Sequence, residues 1–168
     1  MIVIPVESKV HGLQHFFIDG EDFEKVNKYK WYLSKDKRRD NYYLMYDDRG
    51  PDRKGKILLL HRIIMDCPEG LVVDHINHNT LDNRKENLRI CNKSQNAMNA
   101  IKQKNTKSKY KGVSINKITG KFIAYIKNNG KFEYIGAYSE ENAAAIAYNK
   151  KAYEYHGEFA CLNEVENV

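Results

Sequence analysis

Cysteine is scarce in this 168-residue chain. Cys67, Cys91 and Cys161 are odd in number, widely spaced and form no Cys-x-x-Cys pair. That argues against a disulfide framework and against structural zinc, and the expected state is reduced thiols that pack as small apolar groups. Long apolar runs are lacking too. Ile57 to Leu60 is cut off by His61-Arg62, so no membrane span is expected. The start, Met-Ile-Val-Ile-Pro, has neither the basic segment nor the long apolar core of a signal peptide, and an intracellular setting is expected. Acidic residues are missing from one long stretch: Lys102 to Lys131 holds nine lysines and no Asp or Glu. Over the whole chain 28 basic and 22 acidic residues give 28 − 22 = +6, a mild bias toward an anionic partner. Twelve tyrosines add stacking and hydrogen-bonding surface.

Pattern divides the chain into regions. Residues 1–60 read as short strands around one short helix: Phe16 to Ile18, Trp31 to Leu33, Tyr42 to Tyr46 and Lys56 to Leu60 are strand-like, and Asp22 to Tyr29 suits a helical turn or two. Residues 61–101 predict a strand at Leu71 to Val73 running into Asp74-His75, a turn-rich loop, a second strand at Asn87 to Cys91, and a helix from Lys93 capped by Asn92. Residues 102–109 read as a basic linker. Residues 110–163 predict three strands, turns at Thr119-Gly120 and Asn129-Gly130, and an alanine-rich helix from Glu140 to Tyr155 with Ser139 as its cap.

Chemistry concentrates between residues 74 and 96. Asp74 and Asn96 are oxygen donors suited to a hard divalent cation, Mg(II) or Mn(II). His75 suits proton abstraction from water. Asn87 would brace the loop or orient the imidazole, and Arg89 would hold a phosphate oxygen. Neighbours on a regular strand face opposite ways, so Asp74 and His75 share a site only if the strand ends or twists there. His61, His11, His15, His156 and Asn99 are read as structural.

Val-Val-Asp-His-Ile-Asn-His-Asn, Asp-Asn-Arg-Lys-Glu-Asn-Leu-Arg and Gln-Asn-Ala-Met-Asn, in that order, resemble the motif of phage-type HNH homing endonucleases. The resemblance implies a ββα-metal nuclease module. In it Asp74 and Asn96 bind the metal, His75 is the general base and Asn87 supports it. Leu60 to Met65 resembles the helix that precedes the motif in that family. His78 departs from it, standing where many relatives carry glycine.

A second resemblance covers about residues 108–163. Ser-Lys-Tyr-Lys-Gly-Val-Ser, Gly-Lys-Phe-Ile-Ala-Tyr-Ile, Tyr-Ile-Gly-Ala-Tyr, Glu-Glu-Asn-Ala-Ala-Ala-Ile-Ala-Tyr and His-Gly-Glu-Phe-Ala-Cys-Leu-Asn are similar to the ethylene-response-factor type of DNA-binding domain. That family lays a three-stranded sheet in the major groove. The matching positions are Lys111, Ser114, Asn116, Lys117, Lys121, Tyr125, Lys127 and Tyr134, with Lys102, Lys104, Lys107 and Lys109 of the linker beside them. Lysine and Phe122 replace most of the arginines and tryptophans of plant relatives, which favours backbone anchoring over base reading.

The expected protein is thus α+β: short strands, a ββα nuclease module, then a three-stranded antiparallel sheet with a helix. The expected activity is metal-dependent hydrolysis of duplex DNA, with no small-molecule cofactor and no membrane partner. A monomer with one site nicks; a double-strand break needs a dimer or two events. If the chain is phage-encoded, it works in the cytoplasm of the bacterial host. The alternative is a non-catalytic DNA-binding protein with an inactive HNH fold, and an RNA-binding use of the basic sheet is a third reading.

Overall fold

A computed structural model describes residues 1–36, 41–49, 55–102 and 107–165. The chain divides into two units, Met1–Asn96 and Ala97–Val168. The division falls inside the helix of residues 93–99, whereas pattern alone sets boundaries at 60 and 101. Positions 103–106 of the expected linker, with Lys104 among them, lie outside the described residues.

In the first unit, apolar and polar residues alternate along β1 (Ile2–Ser8), which pairs antiparallel with β2 (Gly12–Ile18). Beta1 was not anticipated, because Pro5 interrupts it; as one strand of a two-stranded sheet it tolerates the missing donor. A single 3-10 turn (Gly20–Asp22) leads into α1 (Phe23–Val26). Beta3 (Tyr32–Asp36), β4 (Asn41–Asp47) and β5 (Ile57–Leu59) form a three-stranded antiparallel sheet, and α2 (Leu60–Ile64) begins where β5 ends. Beta6 (Val72–His75) and β7 (Leu88–Cys91) form a two-stranded antiparallel hairpin, followed by α3 (Lys93–Asn99).

One core joins these pieces. Phe16 and Ile18 of β2, Val26 of α1, Leu44 of β4, Leu60 and Ile64 of α2, Val73 of β6 and Leu88 of β7 pack together. Leu60 and Ile64, four apart, put one face of α2 into it. Residues 1–60 therefore share a core with the HNH-like hairpin instead of folding as a region of their own.

In the second unit, β8 (Val113–Ile115), β9 (Phe122–Asn128) and β10 (Lys131–Tyr138) form an antiparallel sheet with β9 in the centre. The β9–β10 turn uses Asn129 at φ 48° and Gly130 at φ 81°, the pair of left-handed residues that a tight hairpin turn requires. Alpha4 (Glu141–His156) lays Ala144, Ala145, Tyr148 and Ala152 on one face of the sheet. Small side chains let the helix approach closely. Gly112 is part of that fit: its φ is +72°, and a Cβ there would lie 2.0 Å from the Tyr148 ring. The helix cap position is Glu140, not Ser139, and no side chain caps it.

Candidate active site

The polar residues of the first unit gather at the β6–β7 hairpin and its connecting loop. Register pairs Asp74 with Arg89 and His75 with Leu88. Side chains alternate along a strand, so Val72, Asp74, Arg89 and Cys91 leave from one face, and Val73, His75, Leu88 and Ile90 from the other. Beta6 keeps its register through His75, its last residue, and the Ile76 N–H still donates to the Asn87 carbonyl at 2.9 Å. The strand therefore ends after His75 without twisting between it and Asp74. The carboxylate and the imidazole flank the strand end from opposite faces, close enough for the Asp74 charge to act on His75.

On the first face, Arg89 donates through Nε (3.0 Å) and Nη2 (2.8 Å) to Oδ2 of Asp74. The pair is nearly enclosed, with 12% and 7% of the two side chains exposed. Burial pushes the Cys91 thiol pKa up, and the Asp74 carboxylate adds to the rise; Arg89 and the backbone of Asn96 oppose it. All four groups thus lie close together. Alpha3 brings Asn96 there. Its start is closed reciprocally: Asn92 Oδ1 accepts the Gln95 N–H, and Gln95 Oε1 accepts the Asn92 N–H, both at 2.9 Å. Asn96 follows in the first turn, its N–H on the Asn92 carbonyl at 3.0 Å.

On the second face, the His75 ring lies 5.2 Å from His61 and 6.4 Å from Tyr43, in edge-to-face arrangements. Burial lowers the pKa of both histidines. For His61 it falls to about 3, with His75 and Arg62 contributing further. For His75, hydrogen bonding to Asn83 and the charges of Asp74 and Asp82 partly offset the burial. Both rings are neutral at pH 7, which is the state a general base needs.

The loop is held by asparagines. Asn77 Oδ1 accepts the Asn79 N–H (2.8 Å), and Asn79 Oδ1 accepts the Leu81 N–H (3.1 Å). Asn87 spans it, accepting the Asn77 N–H at 2.9 Å and donating to the Asp82 carbonyl at 2.8 Å. Asp82 is clamped by Arg84 at 2.8 and 2.7 Å, which lowers its pKa. His78 adopts φ 65°, a left-handed conformation that suits glycine. The Asn87 side chain thus bonds main-chain groups of the loop. The imidazole partner is Asn83, whose Oδ1 lies 3.2 Å from Nε2. Nothing in the sequence distinguishes Asn83 from the other loop asparagines; only its burial and partners do.

The residues anticipated in the second unit separate. Ser114, Tyr125, Lys127 and Tyr134 lie on the sheet face opposite α4, as the register 114↔123, 127↔132 and 125↔134 requires. Lys107, Lys109, Lys117 and Lys121 are exposed. Three other residues are engaged within the unit. Lys111 donates to the Met98 carbonyl at 2.5 Å, and burial lowers its pKa. Lys102 donates to the Ser108 carbonyl. Asn116 closes a turn by accepting the Ile118 and Thr119 N–H groups at 2.9 and 3.2 Å. Phe122 alternates onto the core face; the exposed aromatics of the outer face are Phe132 and Tyr134, 71% and 64% accessible, with Lys127 5.9 Å from the Phe132 ring. Register from the Asn129-Gly130 turn would have placed Phe132 there.

Asp74 offers a carboxylate on the first face and Asn96 an amide on α3, oxygen donors of the kind that suits a hard cation keeping waters and taking substrate oxygens. Among the described residues, no group of three or more His, Cys, Asp or Glu is placed to hold a metal ion. A cation at Asp74 and Asn96 would therefore be completed by water and substrate, and it would share the Asp74 carboxylate with Arg89. Among the described residues, no helix is long and apolar enough to cross a membrane.

Comparison with known proteins agrees with the geometry. The family model described as HNH endonuclease matches residues 59–98, which run from the end of β5 through the hairpin into α3. A protein of Acanthamoeba polyphaga mimivirus, described as an uncharacterized HNH endonuclease, is 36% identical over 156 residues. The match covers 89% of this chain and 75% of the relative, so it extends well beyond the hairpin. No solved structure gives a significant match. With its hairpin, loop and helix in the span of the family model, and a relative of this name aligned over most of both chains, the chain belongs to the HNH endonuclease family.

Proposed function

We propose that this protein is a divalent-metal-dependent endonuclease that hydrolyses phosphodiester bonds of duplex DNA. The observation that supports the reading is the buried His75 at a strand end whose other face holds Asp74, with α3, which carries Asn96, following β7 directly. Successive strand residues are only about 3.3 Å apart, so a phosphodiester lying across that end reaches both faces. His75 takes a proton from water; the hydroxide attacks phosphorus and the 3′ oxygen leaves. Asp74 and Asn96 are the residues to hold Mg(II) or Mn(II). When bound there, the cation supplies charge neutralisation at the phosphate and the leaving oxygen. Asn87 keeps the loop in shape. The hairpin and α3 are read as the ββα-metal module.

The second unit is read as an ethylene-response-factor-type DNA anchor. Its sheet offers Lys127, Tyr125, Phe132 and Tyr134 outward, with Lys117 and Lys121 nearby, a set suited to phosphates and sugars more than to base edges. One site in a monomer nicks one strand. The homing subclass, and a phage source with it, rests on the motif resemblance.

Purified protein with Mg(II) or Mn(II) should relax supercoiled plasmid bearing the target, and His75→Ala should not. Failure of both proteins to cut removes the enzyme reading. One observation favours a second reading. Arg89 already neutralises Asp74, as in a DNA-binding protein whose HNH fold is inactive. That reading predicts sequence-specific binding without nicking in the same assay.

A further inference from the structure

We infer that Asn83 is a positioning residue that fixes the tautomer of His75 and so selects which imidazole nitrogen is basic. The inference rests on the reading of His75 as the general base. Asn83 is 2% exposed, among the most completely buried side chains described. Its Nδ2 donates to the Thr80 carbonyl at 3.2 Å and the Leu81 carbonyl at 3.1 Å. Turning the amide over would break both bonds and set its oxygen against two carbonyl oxygens. The orientation is therefore determined, and Oδ1 is the atom that faces His75 Nε2 at 3.2 Å.

An amide oxygen only accepts. Nε2 must then carry the hydrogen, and a neutral imidazole has only one. The lone pair is left on Nδ1, which is the nitrogen able to take a proton from water. The plane of the ring is set by His61 and Tyr43, whose rings meet it at 75° and 60°.

Asn83 is itself anchored from outside the loop. Its N–H donates to the Phe17 carbonyl at 2.7 Å, and the Phe17 N–H donates to the Leu81 carbonyl at 2.8 Å. Phe17 belongs to β2, so the N-terminal hairpin grips the residue that aims the base. This gives the first strands a part in positioning the base. Asn83 and Asn87 also differ: Asn87 holds main-chain groups of the loop, whereas Asn83 addresses the imidazole.

The test uses full-length, metal-free protein labelled with 15N-histidine, read by long-range 1H–15N correlation at a pH where the ring is neutral. His75 should show a protonated Nε2, shielded from solvent exchange, and an unprotonated Nδ1. In Asn83→Leu the Nε2 proton should lose its protection and the Nδ1–H form should appear. On duplex DNA its kcat should fall about 10- to 100-fold, the usual cost of losing a supporting hydrogen bond, with KM nearly unchanged. A wild-type ring protonated on Nδ1, or a folded Asn83→Leu with the wild-type imidazole spectrum, overturns the inference. If Asn83→Leu does not fold, the wild-type spectrum decides, and a ring protonated on Nδ1 overturns the inference. The tautomer is read without cleavage, so the two readings fail separately. A wild-type Nε2–H ring in a protein whose His75→Ala variant still cuts would sink the base assignment and leave the role of Asn83 intact.

Discussion

The two units are built alike, each with an antiparallel hairpin followed by a helix, yet they place their polar residues in opposite ways. The first buries them: His61, Asp74, His75, Asp82, Asn83 and Asn87 are all withdrawn from solvent around β6, β7 and their loop. The second fills its interior mainly with apolar side chains, Val113, Ala124, Ile126, Ala144, Ala145, Tyr148 and Ala152 among them, and turns Lys127, Phe132 and Tyr134 outward. Burying a polar group is unfavourable unless each donor and acceptor finds a partner. A buried polar cluster so thoroughly bonded marks a place where groups must be held in one geometry. An exposed face of Lys127, Phe132 and Tyr134 requires no such holding and suits contact with a large anionic partner. On the proposed function, one unit is organised for chemistry and the other for contact.

Substitutions should respect that division. The largest effect is expected from His75→Ala: cleavage of duplex DNA falls by about 10²- to 10⁴-fold, the contribution typical of a general base, while duplex affinity in a gel-shift titration stays within about twofold. A parallel loss of affinity would mean that the two functions are not separate.

Arg89→Met comes next. It leaves the enclosed Asp74 carboxylate without its cation, and denaturant unfolding of the metal-free protein should show a loss of about 3–5 kcal/mol. Mn(II) should raise the melting temperature of this variant more than that of the wild type, because the ion and Arg89 compete for the same carboxylate. An equal or smaller shift would show that Arg89 assists the ion.

A third prediction concerns pH. His61 is held neutral, its pKa near 3 in place of the ordinary 6.5. The unfolded chain binds a proton there at a higher pH than the folded one does. The stabilising difference is full above 6.5 and is lost as pH falls from 6.5 toward 3. Between pH 6.5 and 5 this one group removes about 2 kcal/mol of stability. Urea unfolding of His61→Gln should lack that part of the slope; an unchanged slope would contradict the burial of a neutral ring.

The smallest effect is expected in the second unit. Lys127→Ala should reduce the slope of log K against log salt by about 1 and weaken all duplexes alike, with little change in the rate of the bound complex. A change confined to one sequence would instead make Lys127 a reader of bases.

Much of this was legible in the sequence wherever local chemistry dictates structure. The Asn129-Gly130 turn, the alanine-rich α4, Asn92 ahead of α3 and the apolar run into Asp74-His75 all stand where the pattern put them. The order Asp74, His75, Asn87, Asn96 was equally readable, because motif spacing survives without tertiary context. What was hidden depends on contacts far apart in sequence. Beta1 is obscured by Pro5, and it is β2, its partner, that reaches residues 81 and 83. Arg89 reads as a phosphate ligand until register sets it opposite Asp74. Lys111 reads as a surface lysine until the fold turns its ammonium to the Met98 carbonyl.

The central claim is that a single strand end carries cation ligands on one face and the base on the other. An electron paramagnetic resonance titration of Mn(II) into duplex complexes of His75→Ala and Asp74→Asn tests it most directly. The account predicts that His75→Ala binds Mn(II) tightly yet leaves the duplex uncut, and that Asp74→Asn loses Mn(II) binding. Loss of Mn(II) by His75→Ala together with its retention by Asp74→Asn would contradict it.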